Sequence, residues 1–136
     1  MTDQTRPPAN VTADIQVSFS FRVVHGDDPS RRSEPHKTVT RSLSLMGLVF
    51  ESPSMEVGGF HLSFTPMSFA QNLLEITLDL GKKFKPIEVL GQVDWYEKRS
   101  TIQGHTFLVG VNFVDLQPDA LVILRQFLQT AHEISR

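Results

Sequence analysis

Apolar residues recur at every second position along two stretches in the second half of the chain: Ile87, Val89, Val93 and Trp95, then Phe107, Val109, Val111 and Phe113. A period of two is typical of strands that bury one face. The polar run between these stretches ends near Gly104 and is typical of a hairpin loop. We therefore predict two antiparallel strands, over about 86–97 and 105–114.

The segment that follows predicts a helix over about 118–134. Pro118 suits the first helical position because its missing N–H would have no partner there, and Asp119 suits the positive end of the helix dipole. Apolar residues then recur at spacings of three and four, which places them on one face: Leu121, Leu124, Leu128 and Ala131. We expect this face to pack on the strands.

Alternating patterns in the first half predict four more strands, over about 13–24, 37–52, 59–65 and 72–80. The segment 37–52 is interpreted as one strand or a bent pair, because Gly47 indicates a bulge or turn within it. The breaker-rich segment 25–35 is a predicted loop.

Six strands and one terminal helix predict a mostly β fold, an antiparallel sheet that closes into a small barrel or sandwich with the helix over one mouth or face. With 136 residues, the chain has room for one core. We predict a flexible tail over residues 1–10 and a single domain over 11–136.

Composition removes several classes of protein. Hydrophobic residues make up 40% and charged residues 21%, which is typical of a globular chain rather than a disordered one. The absence of cysteine excludes disulfides, iron–sulfur clusters and thiol nucleophiles. The net charge of −2 argues against a general DNA, RNA or membrane-surface binder. Without a signal-like start or a long apolar run, we expect a cytoplasmic protein with no membrane insertion.

The sequence lacks the patterns of common catalytic sites. The five histidines form no H-E-x-x-H arrangement, and the chain has no G-x-S-x-G elbow and no glycine-rich phosphate loop. We therefore predict that the chain is not an enzyme and holds no metal or cofactor. A small β-barrel enzyme ranks third among the functions considered.

The ordered motifs of the second half resemble the closing half of a PilZ domain. They are Val89-Leu-Gly91-Gln-Val93-Asp-Trp95, then Val109-Gly110-Val111-Asn-Phe113, then Leu124-Arg-Gln-Phe127-Leu128. The resemblance implies a six-stranded antiparallel PilZ-like β-barrel with a C-terminal α-helix. It also implies a bacterial signalling module that relays a second messenger, cyclic di-GMP, to a motility, adhesion or secretion partner.

PilZ receptors grip cyclic di-GMP with an R-x-x-x-R pair ahead of the first strand. Guanidinium groups suit this role because they bond bidentately to phosphate and stack on guanine. This chain has only Arg6 before its first strand. The nearest substitute is Arg31-Arg32, in the loop after that strand, with His36 and Lys37 nearby. Losing two charged hydrogen-bonding groups would cost roughly 3–6 kcal/mol, or about two to four decades in affinity.

The family's second ligand element is a [D/N]-x-S-x-x-G turn. It can be aligned with this sequence at two places, which we call the first and the second register. Ser42-x-Ser44-x-x-Gly47 keeps the serine and the glycine, with serine in place of the acid or amide. Ser54-x-Glu56-x-x-Gly59 fits the strand count better but places a carboxylate at the serine position. The candidate ligand-binding residues are Arg31, Arg32, Arg41, Ser42, Ser44 and Gly47.

Because the sequence departs from both ligand motifs of the family, two functions stay open. The first is a cyclic di-GMP sensor, and the second is a nucleotide-independent adaptor that acts by protein–protein contact. An apolar strip is a candidate surface for the adaptor, although the same residues also suit a core: Met55, Val57, Met67 and Phe69. The plain interpretation of Arg31-Arg32 is a solvated loop balanced by Asp27, Asp28 and Glu34, and that of Trp95 is a core or half-core aromatic.

Overall fold

The computed structural model describes residues 12–13 and 15–134. The elements in chain order are β1 Thr12–Ala13, β2 Ser18–Val24, β3 His36–Ser44, β4 Gly47–Ser52, β5 Glu56–Val57, β6 Phe60–His61, β7 Leu73–Asp79, β8 Ile87–Thr101, β9 Gly104–Asp115 and α1 Pro118–Ile134. The predicted tail over residues 1–10 and Arg6 lie outside the described residues.

Six of the strands form a closed antiparallel barrel in the order β3-β2-β7-β8-β9-β4, because β4 pairs with both β9 and β3. The short strand β1 pairs with the end of β3, where Thr12 lies opposite Ser44. The predicted six-stranded antiparallel barrel with a C-terminal helix is confirmed.

The barrel interior holds the alternating apolar residues of each strand. The rings of Phe19 and Phe21 both contact the ring of Phe50, with centroids 5.5 Å apart in each pair. The helix α1 contacts β1 and β8 and buries Leu124 and Leu128 completely. No helix among the described residues has the length and apolar character needed to cross a membrane.

Several predicted strands differ from the observed ones. The segment predicted as one strand over 13–24 contains the end of β1 and all of β2, and residues 15–17 belong to neither. The strand predicted over 86–97 continues to Thr101, so most of the predicted hairpin loop is paired strand.

The segment 37–52 is a pair of strands, β3 and β4, joined by a tight turn at residues 45–46. The prediction of a barrel strand over 59–65 is wrong, because Phe60–His61 pairs with Glu56–Val57 in a separate hairpin. Gly58 and Gly59, with φ of 59° and 84°, make the turn of this hairpin. The barrel still has six strands because 37–52 supplies two of them.

The two ends of the barrel carry different segments. The end that we call the helix end carries β1, the turn between β3 and β4, and α1. The opposite end, which we call the loop end, carries the loop 25–35, the segment 53–72 and the protruding part of the hairpin formed by β8 and β9. A nine-residue strand such as β3 separates these ends by roughly 27 Å, at about 3.4 Å per residue.

Candidate functional site

The predicted ligand-binding residues fall into two groups that the structure does not bring together. Arg31 and Arg32 lie in the loop 25–35 at the loop end. Arg41, Ser42, Ser44 and Gly47 lie toward the helix end, on β3 and at the start of β4. The whole length of β3 separates the arginine pair from the turn at Ser44.

Arg31 and Arg32 already contact other groups at the barrel surface. The Arg31 guanidinium lies over the Phe60 ring, 5.9 Å from its centroid. Arg32 Nη1 lies 3.5 Å from Glu75 Oε2, and Arg32 Nε donates to the Pro29 carbonyl at 3.3 Å. The ion pair therefore joins Arg32 to strand β7, and not to the acidic residues of its own loop as the sequence had indicated.

The turn between β3 and β4 uses Ser44 for its own closure. Ser44 is buried, and its Oγ accepts from the Met46 N–H at 3.0 Å and donates to the Gly47 carbonyl at 3.4 Å. Ser42 is half-buried, whereas Arg41 is exposed and its Nη1 lies 2.9 Å from Glu51 Oε1. The Ser44 hydroxyl is committed to the turn, and the nearby cation is balanced by a carboxylate.

Gly47 lies against the backbone of β9. A Cβ atom at this position would stand 1.9 Å from the Val111 carbonyl oxygen, far inside van der Waals contact. The absence of a side chain therefore serves strand packing. Gly110 also leaves room for a neighbour. Trp95 is half-buried, and its indole ring covers Gly110 so closely that a Cβ atom at position 110 would stand 2.2 Å from the ring.

The second register of the glycine turn lies at the loop end, on the hairpin formed by β5 and β6. Glu56 is exposed there, and Gly59 has no heavy atom within 4 Å of its Cβ position. This hairpin carries Phe60, so the structure places Arg31 beside the second register and not beside the first. The Glu56 carboxylate would still face an anionic ligand.

An open groove of about 450 Å³ lies on the outer face of strands β2, β7 and β8. Arg22 lines the groove together with three carboxylates, those of Glu75, Glu88 and Asp115. This balance of charge suits a cation better than a phosphodiester. No cluster of three or more potential metal-ligating side chains occurs within the described residues.

A buried asparagine that sequence reasoning missed organises the loop end. Asn72 is 1% exposed, and its Oδ1 accepts from the Gly26 N–H and from the Thr65 hydroxyl, both at 2.8 Å. Its Nδ2 donates to the His61 carbonyl at 2.7 Å. One side chain thereby joins the loop 25–35 to two points of the segment 53–72. No local pattern could reveal it, because Gly26 lies 46 positions away in the chain.

The four residues of the predicted apolar strip differ in their exposure to solvent. Met55 is buried and Val57 is half-buried, whereas Met67 and Phe69 are 92% and 76% exposed. Phe69 stacks on Phe64 with a centroid distance of 5.9 Å. Only the turn that contains Met67 and Phe69 therefore remains a candidate surface.

His61 links the stability of the loop end to pH. Its Nδ1 accepts from the backbone N–H groups of Ser63 and Phe64, at 3.0 and 3.4 Å, so this nitrogen must be unprotonated. Desolvation by burial lowers the pKa of His61 below its usual 6.5, and the charge of Glu56 opposes this shift. A lowered histidine pKa means that the folded state binds the proton more weakly than the unfolded chain.

We expect the midpoint of thermal unfolding to fall as pH decreases below about 6.5, because protonation then favours the unfolded chain. A His61→Asn variant keeps an acceptor for the two N–H groups and should show a smaller decrease over the same pH range. Thermal melts of both proteins between pH 7.5 and 5 test this, and identical pH profiles would contradict it.

No family model and no curated protein matches the sequence. Solved structures match in fold. The Bacillus subtilis inhibitor of motility (MotI/DgrA) aligns over 96% of this chain with a TM-score of 0.66 and 11% identity. MrkH of K. pneumonia, in its apo state, aligns over 96% with a TM-score of 0.66 and 14% identity. The chain spans about half the length of these structures, 53% of each.

The PilZ domain of YcgR from Escherichia coli, solved with c-di-GMP, aligns over 90% of this chain and 92% of its own length. Its TM-score is 0.58 and its identity 10%. Identities this low establish the fold alone. The barrel is thus PilZ-like, as the motifs of the second half imply.

Proposed function

We propose that this PilZ-like chain is a regulatory adaptor that acts by contact with a protein partner and does not require cyclic di-GMP for that contact. One observation carries the proposal: the arginine pair and the Ser44–Gly47 turn lie at opposite ends of β3. Arginines at one end cannot grip a small ligand held by a turn at the other end, roughly 27 Å away. The partner would belong to a motility, adhesion or secretion apparatus.

The charges around both glycine turns support this proposal. Cyclic di-GMP carries two phosphodiester charges and therefore needs unpaired cations. Arg41 is balanced by Glu51, and Arg32 by Glu75. Glu56 occupies the serine position of the second register. A ligand at either turn would have to compete with a carboxylate for its cation or lie against one.

A specific observation also favours a second candidate, a cyclic di-GMP receptor. Because β1 pairs antiparallel with β3, Thr12 is held opposite Ser44, beside the first glycine turn. Arg6 precedes Thr12 by six positions, and six residues span at most about 20 Å. The YcgR domain from Escherichia coli and PlzA from Borreliella burgdorferi were both solved with c-di-GMP. A receptor of this kind would have one arginine in place of two.

We expect isothermal titration of the full chain with cyclic di-GMP to give no saturable heat up to a few hundred micromolar ligand. The loss of two arginine contacts, at roughly 1.5–3 kcal/mol each, would weaken a micromolar receptor by two to four decades. The PilZ domain of YcgR is the positive control in the same buffer.

Saturable micromolar binding would contradict the proposal, and two variants would then identify the ligand's position. Loss of the heat in Arg6→Ala would establish a receptor that binds beside Ser44. Loss in Arg31→Ala/Arg32→Ala would place the nucleotide at the loop end, on the hairpin formed by β5 and β6.

A further inference from the structure

The turn formed by residues 65–70 presents two large apolar side chains to solvent at the loop end. Met67 and Phe69 are 92% and 76% exposed, and Phe64 lies beneath the Phe69 ring. His61 contacts Phe64, with ring centroids 4.2 Å apart, and also contacts Tyr96 on β8. The two exposed side chains thus lie at the edge of a continuous group of rings, unlike isolated surface hydrophobics.

Backbone and side-chain hydrogen bonds fix the conformation of this turn. The Thr65 N–H donates to the Ala70 carbonyl and the Phe69 N–H to the Thr65 carbonyl, both at 2.7 Å. The Ser68 hydroxyl donates to the Asp27 carboxylate and accepts from the Ala70 N–H at 3.2 Å. A turn that is already ordered loses little conformational freedom when a partner binds, which favours affinity.

The exposed aromatic residue adopts a strained backbone conformation. Phe69 has φ of 60°, the one positive value among the non-glycine residues that the structure describes. The left-handed region is unfavourable for a bulky L-residue, and glycine or asparagine would adopt it at lower cost. Backbone strain of this kind is common where a side chain contacts a ligand or partner, so its occurrence at a side chain that is 76% exposed favours a binding contact.

Three kinds of surface could cover this turn: a second copy of the chain, an anionic membrane or a basic protein. The charge beside the turn distinguishes among them. Asp27 contacts Ser68 directly, and Asp28 follows it. Arg31 lies over Phe60, where its charge also acts on Asp28, whereas Arg32 lies against Glu75. A second copy in a two-fold contact would bring like carboxylates together, and an anionic membrane surface would be repelled. A basic surface is complementary to these carboxylates, above all to Asp27, whose contact given by the structure is with the neutral Ser68 hydroxyl.

We propose that the Met67–Phe69 turn docks into an apolar cleft of a partner protein whose rim carries lysine or arginine. The proposal rests on the protein-contact function given above. Met67 and Phe69 fill the cleft, and Asp27 and Asp28 meet the basic rim.

Three variants separate these contributions. Phe69→Gly removes the ring, and glycine adopts the positive φ of this position at lower cost, so the variant should keep the fold. Asp27→Asn/Asp28→Asn removes two charges while each side chain keeps an oxygen that can accept from Ser68 or Ser30. Ile102→Ser is the matched control, because Ile102 is a fully exposed apolar residue at the tip of the hairpin formed by β8 and β9.

The experiment introduces a photo-crosslinking amino acid at position 67 of the full chain in its native host. The same label at Ile102, and at Val122, a half-exposed apolar residue of α1, serves for comparison. The protein in the adduct at 67 is identified, purified and titrated with the wild-type chain and the three variants. Phe69→Gly should weaken binding by about tenfold or more. The double asparagine variant should bind more weakly and with a smaller salt dependence, and Ile102→Ser should bind like the wild type.

Several results would overturn the proposal. Equal affinity of Phe69→Gly and the wild type would exclude this surface. Adducts at 102 or 122 without one at 67 would exclude it as well, while leaving the protein-contact function intact, whereas no adduct at any position would contradict both. Binding to phosphatidylglycerol vesicles, or a dimer in solution that Phe69→Gly dissociates, would replace the basic partner with a membrane or a second copy.

Discussion

Replacement of Gly47 with alanine is expected to lower the free energy of unfolding by roughly 3 kcal/mol or more. The added Cβ would stand 1.9 Å from the Val111 carbonyl oxygen and 2.9 Å from the Val111 carbonyl carbon. Both atoms belong to the backbone of β9, which pairs with β4 along its length and cannot move without breaking that pairing. Urea unfolding of the variant and the wild type measures the difference.

Gly59→Ala is the matched control, because Gly59 is the corresponding glycine in the other register. Its Cβ position has no neighbour within 4 Å, but its φ is 84°, so the expected cost is about 1–2 kcal/mol from backbone strain alone. A Gly47→Ala protein as stable as the wild type would show that the β9 backbone can shift to make room for the added Cβ. The glycine would then be explained better by close approach of a ligand than by packing.

Replacement of Asn72 with alanine should lower the free energy of unfolding by roughly 3 kcal/mol and loosen the loop end. The change removes three hydrogen bonds at a site that is 1% exposed, and leaves the Thr65 hydroxyl and the His61 carbonyl without their partner. Each buried polar group that loses its partner costs about 1–3 kcal/mol. Urea unfolding gives the total, and amide hydrogen exchange over residues 61–72 locates it.

Gln71→Ala is the control for Asn72→Ala. Gln71 is exposed, and its Nε2 makes a single long hydrogen bond of 3.4 Å to the Val93 carbonyl, so its loss should cost well under about 1 kcal/mol. Equal effects of the two substitutions would show that the Asn72 contacts do not organise the loop end. A selective loss of protection in the turn 65–70 would link Asn72 to the surface that we propose for docking.

Alternation of apolar residues was sufficient to predict most of the barrel. The pattern at Phe19 and Phe21 and the pattern at Val109 and Val111 correspond to β2 and β9, whose inward side chains are buried. The same pattern at Phe60, Leu62 and Phe64 led to the wrong prediction of a barrel strand over 59–65. Alternation reports that one face is buried, but does not report what covers it, and here the segment folds over the end of the barrel instead of joining its wall.

The sequence predicted some residues of the candidate site but not the contacts that their side chains make. The serine and the glycine of the Ser44–Gly47 turn are visible in the sequence, and the structure places both in a turn between two strands. That Ser44 bonds to its own turn, and that Arg41 pairs with Glu51, depends on side-chain contacts that spacing does not encode. Asn72 had no signal at all, because its three partners are 46, 7 and 11 positions away in the chain.

The sequence by itself determined most of the local features of this protein: the barrel strands other than the one expected over 59–65, the changes of direction near Gly47 and at Gly58-Gly59, and the burial of Leu124 and Leu128 on α1. These follow from backbone geometry and from the burial of alternate side chains, which act over a few residues. Only the tertiary structure decided that Arg31 and Ser44 lie at opposite ends, that Gly47 packs on β9, and that Met67 and Phe69 face solvent. Closure of the barrel sets these relations, because it pairs strands that are distant in the chain.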